Sequence, residues 1–591
     1  MYYEKWDLES IFTKEETWNE VKEEINNLEE DISSLENSID TLIENKYLEA
    51  RSLESLLEQF NMVLRNLGKI EAFTKCKTLE PLEEEIKKDI FLKLNYVVSL
   101  YYNVSNKFNH ILCMVDSTFW EEADVKKIVD PVAFQIKERK TIYRDFSNRY
   151  VHNKMLLQNI REIETKYFSE ISSILNSKIG NKHIPIIEFF NNINSSDKSR
   201  RQESVNILNT ILEDYSEKIA VIFLKILDYK CSKYNEYLYR DKNFKYAVEI
   251  INKMSINYFT KFESEHRNIC KPLISFLEIK SKQMNIQKNC WSDLYVASRE
   301  INVTFTFAEA KNIILSSFKK VDKNLYKVAE RVFAERWIKV SEATHTTSGF
   351  CVNVAAIGES RIYAPFNNNF KDVLIIAHEI GHAFHNDLVK DLHIFNHNYS
   401  LCIAESMAIF CENIVLNEMI STAKTNDEKL VLIETKLQDC IFYLMEMYSY
   451  YLFERYSFEQ QRNNNSIDYK LLCKLMLKAQ KNAFNNSLSE YFPFLWMTQK
   501  HFYNTNLSFY NISYSVGYLV NSFLQSSLKG GLLTSSSILT LFMENSGRMR
   551  VEELFKEYTD IEFMSEEFVN QVVGELDELV ADYNEICREI V

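Results

Sequence analysis

Five residues of the sequence, His378 to His382, combine the side chains that metal-assisted hydrolysis requires. They read His-Glu-Ile-Gly-His and follow an apolar run, Val373 to Ala377, that is typical of a buried helix. Residues four apart share a helix face, so both histidines can bind one metal ion while Glu379 points toward a water at that ion. Zinc lowers the pKa of such a water toward ~7, and a neighbouring carboxylate can then take its proton. The motif therefore predicts zinc-assisted hydrolysis.

A catalytic zinc site needs a third protein ligand and one open position. Glu405 lies 23 residues after His382, in the apolar segment CIAESMAIFCE, where a buried carboxylate requires a cation. Glu412, two helical turns further along the same face, is the competing ligand, and we interpret it as a group that orients a ligand histidine. The sequence predicts one Zn²⁺ per chain, bound by His378, His382 and Glu405.

Three further histidines, His385, His393 and His397, follow the motif closely. His385 comes three positions after His382 and could line a cleft, whereas the other two stand in a polar connection and are predicted at the surface. None of the three is needed to complete the metal site. A purely structural interpretation of the motif, with both motif histidines hydrogen-bonded in a core, leaves the buried Glu379 and Glu405 unexplained.

A tyrosine-rich segment, residues 501–519, is the second candidate for chemistry. Tyr510, Tyr514 and Tyr518 recur every four residues, which places three phenols on one face of a predicted helix. Such a stripe is often core, and the chain has 33 tyrosines. Amide hydrolysis passes through an oxyanion that needs hydrogen-bond donors, and these phenols or His501 could supply them.

The elements that position these residues are predicted to be helices. The 591 residues include 10 glycines and 6 prolines, where average usage gives about 41 and 30. Sheets and barrels need such turn residues, so the fold class is mostly α, and the length of the chain favours lobes around a cleft. A break in pattern between 338 and 371 predicts a small β element before the metal-binding helix.

A stripe of apolar residues from Ile25 to Leu42 predicts a helix that packs in a hairpin or a dimeric coiled coil. The intramolecular hairpin is favoured because the pattern fades within three heptads.

Charge and composition exclude several partner classes. A formal net charge of −15 without a Lys/Arg-rich block argues against nucleic acid. No run approaches the ~18 apolar residues of a membrane span, and the opening MYYEKWDLES is not a secretory signal. Eleven cysteines without a CxxC pair fit reduced thiols, so we expect a cytoplasmic location. The oligomeric state stays open, with a monomer favoured.

Several short stretches, spread over nearly the full chain, resemble the thimet oligopeptidase and oligoendopeptidase F family of zinc peptidases, with oligoendopeptidase F the more similar branch. FNNNF, residues 366–370, departs from the family pattern, because relatives commonly have a glycine there. The segments that carry the resemblance are WDLESIF (6–12), SGFCVNV (348–354), RIYAPFNNNFKDVLIIAHEIGHAFH (361–385), AESMAIFCE (404–412), HFY (501–503) and FYNISYSVGYL (509–519).

The resemblance implies a two-lobed helical ellipsoid with a deep channel, formed by an amino-terminal lobe (residues 1–200) and a catalytic lobe (201–591). It also implies short, unstructured peptides as substrates, His378, His382 and Glu405 as zinc ligands, and Glu379 as general base. His501, Tyr510 and Tyr514 would assist the oxyanion or the substrate, and Tyr518 could exchange roles with the other tyrosines.

Three other functions stay open from the sequence. The same site could serve an exopeptidase, or a peptidase dedicated to one leader or signalling peptide. A protein that binds peptides without cutting them is disfavoured by the intact motif and Glu405. We therefore predict an endopeptidase that cuts internal bonds of short peptides held along the 349–366 segment as an added strand.

Overall fold

A computed structural model describes the protein in fourteen stretches that leave short gaps. The described chain is mostly helical and contains one small β-sheet, in agreement with the predicted fold class. The described residues are 2–12, 17–45, 47–80, 84–146, 154–176, 192–193, 195–235, 245–299, 301, 303–341, 349–463, 465–505, 507–529 and 536–590.

The helices of the described chain are numbered α1 to α22 and the strands β1 to β4, in chain order. The helices are Thr17–Asn45, Ala50–Lys77, Glu84–Met114, Ala123–Val129, Ala133–Phe146, Lys154–Asn176, Lys198–Asn235, Lys245–Asn252, Ile256–Ile269, Lys271–Gln283, Phe307–Val321, Lys323–Ala334, Phe370–Val389, Leu401–Thr422, Asn426–Ile441, Met447–Arg462, Tyr469–Ala483, Leu495–Thr498, Ile512–Lys529, Ser536–Asn545, Val551–Tyr558 and Glu566–Ile590. The strands are Tyr2–Glu4, Ile338–Ser341, Phe350–Val354 and Glu359–Pro365. A π-helical turn, Phe442–Glu446, joins α15 to α16.

The chain divides into two compact units, and each gathers three separate segments. Unit 1 consists of Met1–Lys154, Phe305–Tyr399 and Ser536–Arg550. Unit 2 consists of Met155–Thr304, Ser400–Ser535 and Val551–Val591. These units do not divide at residue 200, because segments far apart in sequence pack together; the functional lobes 1–200 and 201–591 stay a prediction.

In unit 1, the apolar stripe of α1 is buried inside the chain. Helix α1 packs against α2 and α3 of the same unit, which is the arrangement of an intramolecular helical hairpin. The amphipathic pattern is thus used within the unit, as the intramolecular interpretation predicts. Residues of the stripe with at most 1% exposure are Ile25, Leu28, Ile32, Leu35 and Ile39.

The β-sheet of unit 1 has the order β1-β2-β4-β3. Strands β2 and β4 are parallel, whereas β3 and β4 form an antiparallel pair in which Val354 lies opposite Glu359. The predicted β element between 338 and 371 is therefore present as β2, β3 and β4, although residues 342–348 lie outside the described residues. Strand β3 forms one edge of the described sheet and packs against α2 and α13.

Asparagines form the turn that leads from the sheet into α13. Asn368 has φ +64°, the left-handed conformation that asparagine tolerates better than other residues with a side chain. Asn369 then caps the helix: its Oδ1 accepts from Asp372 N at 3.0 Å, and Asp372 Oδ2 accepts from Asn369 Nδ2 at 2.8 Å. The sequence FNNNF thus makes the turn without a glycine.

Arg361 on β4 joins the sheet to the amino-terminal segment of unit 1. Its side chain is fully buried and donates to the carbonyls of Asp7 at 2.6 Å and Ser360 at 2.7 Å. The same guanidinium donates to Glu359 Oε2 at 2.8 Å and to the hydroxyl of Ser10. These hydrogen bonds offset the free-energy cost of burying the charged guanidinium.

Unit 2 is an assembly of helices in which α14 and α19 make the most extensive pairing. Its interior contains charged side chains, and three pairs of opposite charge lie there, which offsets part of the cost of burying a charge. The nearly fully buried pairs of this unit are Arg201 with Asp293 at 2.7 Å, Lys230 with Glu454 at 3.3 Å, and Lys280 with Glu434 at 3.1 Å. Over the residues described in both units, none of the helices has the length and apolar character needed to cross a lipid bilayer.

The substitution Arg361→Met should lower the free energy of unfolding by about 3 kcal/mol, because it removes the hydrogen bonds of a fully buried guanidinium and leaves the carbonyl of the buried Ser360 without that donor. Urea denaturation followed by circular dichroism would measure the change. Arg336→Met is the matched control: Arg336 is 60% exposed and lies 4.0 Å from the Asp7 carboxylate, so we expect a change below about 0.5 kcal/mol. Equal effects of the two substitutions would contradict the anchoring role.

Candidate metal and catalytic site

Helix α13 in unit 1 carries the His-Glu-Ile-Gly-His motif. It packs against β3, β4, α12 and α20, so most of its surface is buried. His378 and His382 are half-buried, their ring centroids lie 4.9 Å apart, and the ring planes are nearly perpendicular at 84°. This geometry is what helical spacing of four residues produces, and it brings two imidazoles to one point of the helix surface.

The surroundings of His382 favour the protonation state that a metal ligand needs. Burial lowers the pKa of His382 well below its usual value, and the neighbouring rings of His378 and His385 add to the decrease. A histidine with a lowered pKa is neutral at neutral pH, and a neutral imidazole nitrogen has the lone pair that binds a metal ion. Unit 1 therefore presents two imidazole donors on one exposed stripe of a buried helix.

Glu379, between the two histidines, is 6% exposed and lies directly against Gly349. A Cβ atom on Gly349 would lie 2.8 Å from Glu379 Oε1 and 2.9 Å from Ile375 Cγ2, both closer than packed atoms allow. The missing side chain of Gly349 therefore makes the space that this carboxylate occupies. From the sequence we interpreted Gly349 only as part of a β element. Its position directly before a strand could have indicated this role, because a glycine there often marks a place where another group approaches the backbone closely.

The three additional histidines have structural roles in unit 1. His385 is fully buried, and its Nε2 lies 2.8 Å from Ser546 Oγ and 3.2 Å from the carbonyl of Met543. It does not line a cleft, because its ring also stacks on Tyr399 at 4.0 Å.

His393 and His397, predicted at the surface, are instead half-buried. His393 Nε2 lies 3.0 Å from the carbonyl of Leu57, and His397 Nδ1 lies 3.2 Å from Asn353 Nδ2. The polar connection misled the prediction, because α2 and β3 cover these side chains from distant parts of the sequence. Both residues serve the packing of unit 1.

In unit 2, Glu405 on α14 is 5% exposed and belongs to a polar group built with two tyrosines. The Tyr510 hydroxyl donates to Glu405 Oε1 at 3.1 Å, and the hydroxyls of Tyr510 and Tyr514 are 3.2 Å apart. Burial and the negative charge of Glu405 raise the pKa of Tyr514 well above its usual value. Tyr514 is therefore protonated at neutral pH and can donate a hydrogen bond.

The predicted helical stripe of three tyrosines is only partly present. Tyr510 precedes α19, because Phe509 takes the left-handed φ of +59° and forms a turn. The turn is held by Glu454, whose carboxylate accepts from Phe509 N at 2.9 Å while it pairs with Lys230. Tyr510 nevertheless reaches Tyr514, so the turn and the helix together present the two phenols.

Tyr518 has a different environment from the other two tyrosines. It is 7% exposed, and its hydroxyl lies 3.0 Å from Cys440 Sγ. This contact faces α15 rather than Glu405, and Tyr518 is therefore part of the core of unit 2. Of the interchangeable roles that the sequence leaves open, only Tyr510 and Tyr514 have positions beside the carboxylate.

His501 lies against the same two phenols. Its ring is perpendicular to that of Tyr510 with centroids 4.8 Å apart, and parallel to that of Tyr514 at 6.2 Å. His501 Nδ1 is 2.7 Å from Asn511 Oδ1, and an amide oxygen only accepts, so Nδ1 carries the proton. Burial lowers the pKa of His501, which leaves Nε2 of the neutral ring as an acceptor.

Two residues that the sequence did not single out complete this part of unit 2. Tyr443 donates to Glu412 at 3.1 Å, and its ring stacks with that of Tyr514 at 6.4 Å. A Cβ atom on Gly517 would lie 2.8 Å from the carbonyl of Cys402 and 3.1 Å from Glu405 Cβ. Close contact between α14 and α19 therefore depends on Gly517. The predicted role of Glu412 in orienting a ligand histidine stays a prediction.

Fold and site together define a class of protein, the metalloendopeptidases. Residues 289–554, which include the motif helix, Glu405 and the tyrosine-rich segment, match the family model described as Peptidase family M3. This match covers somewhat less than half of the chain, and with the relatives below it identifies the chain as a peptidase.

Proteins similar to this chain include several that are named oligoendopeptidase F. A protein of Borreliella burgdorferi named "Oligoendopeptidase F homolog" is 23% identical over 87% of this chain and 86% of its own length. The crystal structure of oligoendopeptidase-F from Enterococcus faecium has a TM-score of 0.66 and 13% identity, covering 97% of this chain and 99% of the other. The structure titled PZ peptidase A with inhibitor 2 has a TM-score of 0.73 and 13% identity, covering 94% and 97%. The resemblance inferred from the sequence motifs is confirmed.

The substitution Gly517→Ala should lower the free energy of unfolding by about 1–3 kcal/mol, because the added methyl group meets the backbone of α14. Gly574→Ala is the matched control in the same unit: it is also helical, but a Cβ there has no atom within 4 Å. The control should be neutral or slightly stabilising, since alanine is the better helix former. Thermal unfolding of both variants, with wild type alongside, tests the pair; similar behaviour would contradict the close-packing role of Gly517.

Proposed function

We propose that the protein is a zinc-dependent endopeptidase, in which His378 and His382 of unit 1 and Glu405 of unit 2 bind the metal ion and Glu379 is the general base. The observation that carries the proposal is the pair of perpendicular imidazoles, 4.9 Å apart, that flank a buried carboxylate on α13. Without a functional role, two histidines and a glutamate on this apolar helix would lower the stability of the fold, because burying polar groups costs free energy.

The donor set fits zinc. Two histidines and one glutamate are a known ligand set of catalytic zinc, which keeps a fourth position open for water or substrate. The lowered pKa of His382 keeps that ring ready to coordinate, and Tyr510 donates to Glu405 as a partner that orients a ligand carboxylate. When bound, zinc supplies a Lewis acid and lowers the pKa of a water toward ~7.

The residues of the chain have separable tasks in peptide hydrolysis. Glu379 accepts the proton of the attacking water and later delivers it to the departing amine. Tyr514, protonated and half-buried, donates to the oxyanion that develops on the scissile carbonyl, whereas the single proton of the Tyr510 hydroxyl is donated to Glu405. His501 is better suited to accept a hydrogen bond from a substrate N–H, because its proton is engaged by Asn511. Tyr514 is thus the oxyanion donor of the proposal.

The substrates that we propose are short, unstructured peptides. Strand β3 is at the edge of the described sheet and begins next to Gly349, whose backbone touches Glu379. A peptide added to this edge would form backbone hydrogen bonds that depend little on its sequence. Such binding favours an extended, flexible peptide over a folded protein.

Three other functions remain distinguishable by experiment. An exopeptidase would fail to cut a peptide blocked at both termini, and a dedicated processing enzyme would cut one peptide far better than unrelated ones. A protein that only binds peptides would leave all of them intact. We also propose a cytoplasmic location on the scattered cysteines, none of which forms a disulfide, and a single chain as the working unit.

The substitution Glu379→Gln should reduce kcat on an internally quenched, doubly blocked peptide by about 10³-fold while the chain still binds one zinc ion, because the amide cannot take the water's proton. Metal content would be measured on the same sample by atomic emission. His378→Ala is the paired variant and should lose both the metal and the activity. Full activity of Glu379→Gln with normal zinc would show that another group is the base.

The substitution Tyr514→Phe should lower kcat by about 10²-fold with little change in KM, because an oxyanion donor acts mainly in the transition state. Steady-state kinetics on the blocked peptide would measure the effect. Tyr518→Phe removes a hydroxyl from the same helix that contacts Cys440, and it should keep near wild-type kinetics. A larger loss in Tyr518→Phe than in Tyr514→Phe would reverse the assignment.

A further inference from the structure

Lys75 is an exposed cation near the end of α2, in the part of unit 1 that contains Glu379. Its ammonium group lies 4.3 Å from the centroid of the Phe350 ring, at the first residue of the edge strand β3. Phe350 directly follows Gly349, whose backbone is in contact with Glu379. The ammonium group is therefore beside the start of the edge strand and close to the proposed general base.

The electrostatic environment of Lys75 agrees with this position. Partial burial lowers the pKa of Lys75, while the side chain as a whole stays exposed to solvent. The negative charge of Glu379 acts in the opposite direction and raises the pKa of Lys75. The ammonium group is therefore accessible to solvent, and hence to a peptide, beside Phe350.

Lys75 differs from the other lysines of α2 in its partners. Lys69 pairs with Glu24 at 3.4 Å, and Lys77 pairs with Glu80 at 2.7 Å. Within the residues that the structure describes, Lys75 has no carboxylate at ion-pair distance, and its close contact is the Phe350 ring. A cation–π contact at an exposed site is worth about 0.5–1 kcal/mol, which leaves the charge available for a stronger partner.

We propose that Lys75 binds a carboxylate of the peptide substrate, either an acidic side chain or the terminal carboxylate, and so makes the enzyme prefer peptides with a negative charge near the scissile bond. A peptide added to β3 passes Phe350, and a carboxylate on it would meet the ammonium group there. The inference rests on the proposed function, because it assumes that peptides bind along this edge strand. Lys75 would be a specificity residue that contacts the substrate and takes no part in the bond cleavage.

The test uses two matched pairs of quenched peptides. One pair has the same sequence with Glu or Gln beside the cleaved bond, and the other pair ends in a free acid or an amide. For wild type, we expect kcat/KM to be about tenfold higher for the charged member of one pair, and the pair that responds identifies the source of the carboxylate. Lys75→Met should reduce that ratio to about one, since methionine keeps the apolar stem against Phe350 without the charge.

Two further variants separate a contact with substrate from other effects. Lys75→Arg should restore most of the preference, because guanidinium also binds carboxylates. Lys77→Met removes the neighbouring charge of the same helix and should leave the ratio at the wild-type value. An equal loss on charged and neutral peptides in Lys75→Met would show that the lysine acts on Glu379 and would overturn the proposal, as would an unchanged ratio.

Binding to the Glu379→Gln variant provides a readout that does not require cleavage. Fluorescence anisotropy of labelled charged and neutral peptides should show about tenfold tighter binding of the charged member, and addition of Lys75→Met should abolish the difference. Absence of cleavage by wild type together with this binding preference would refute the proposed function and leave the carboxylate site standing. Cleavage by wild type without any charge preference in kinetics or binding would refute the carboxylate site and leave the peptidase.

Discussion

A carboxylate buried beside two imidazoles is stable only where the surrounding structure gives each group a partner or a task. Unit 1 meets this constraint at Glu379 with a close approach of the backbone: the residue directly before β3, Gly349, lies so near the carboxylate that a side chain there would collide with it. Three features keep Gly349 close to Glu379: the capped start of α13, the packing of α13 on β3 and β4, and the hydrogen bonds of Arg361 that anchor β4. The sheet is small, but the position of the motif helix depends on it.

Unit 2 meets the same constraint with hydrogen bonds from phenols. Glu405 accepts from Tyr510, and burial together with the charge of that carboxylate raises the pKa of Tyr514, so Tyr514 stays protonated as a donor. The buried pair of Lys230 and Glu454 fixes the turn that aims Tyr510. A buried ion pair adds little net stability, but it can specify one backbone conformation, and here it does so beside a proposed metal ligand.

Several outcomes differed from the sequence predictions for one physical reason. Tyr510, Tyr514 and Tyr518 share helical spacing, yet a left-handed Phe509 puts Tyr510 before the helix, and Tyr518 faces the core. His385 has the right spacing to face a cleft, but its partners are Met543 and Ser546. Periodicity describes which residues share a face, and it does not tell which neighbour that face receives.

The sequence by itself determined the local chemistry. Three features act through nearby backbone geometry, so they could be inferred without a structure: the four-residue spacing of the histidines, the apolar stripe of α1 and the shortage of turn residues.

Only the tertiary structure decided which distant residues meet. Tyr510 and Glu405, which form a hydrogen bond, are 105 positions apart in the sequence. The approach of Gly349 to Glu379 requires that β3 and α13 pack in one particular register. Lys75, which contacts Phe350, comes from the second helix of the chain. Such contacts depend on how whole helices and strands pack, and the composition of one segment does not predict which other segment will pack against it.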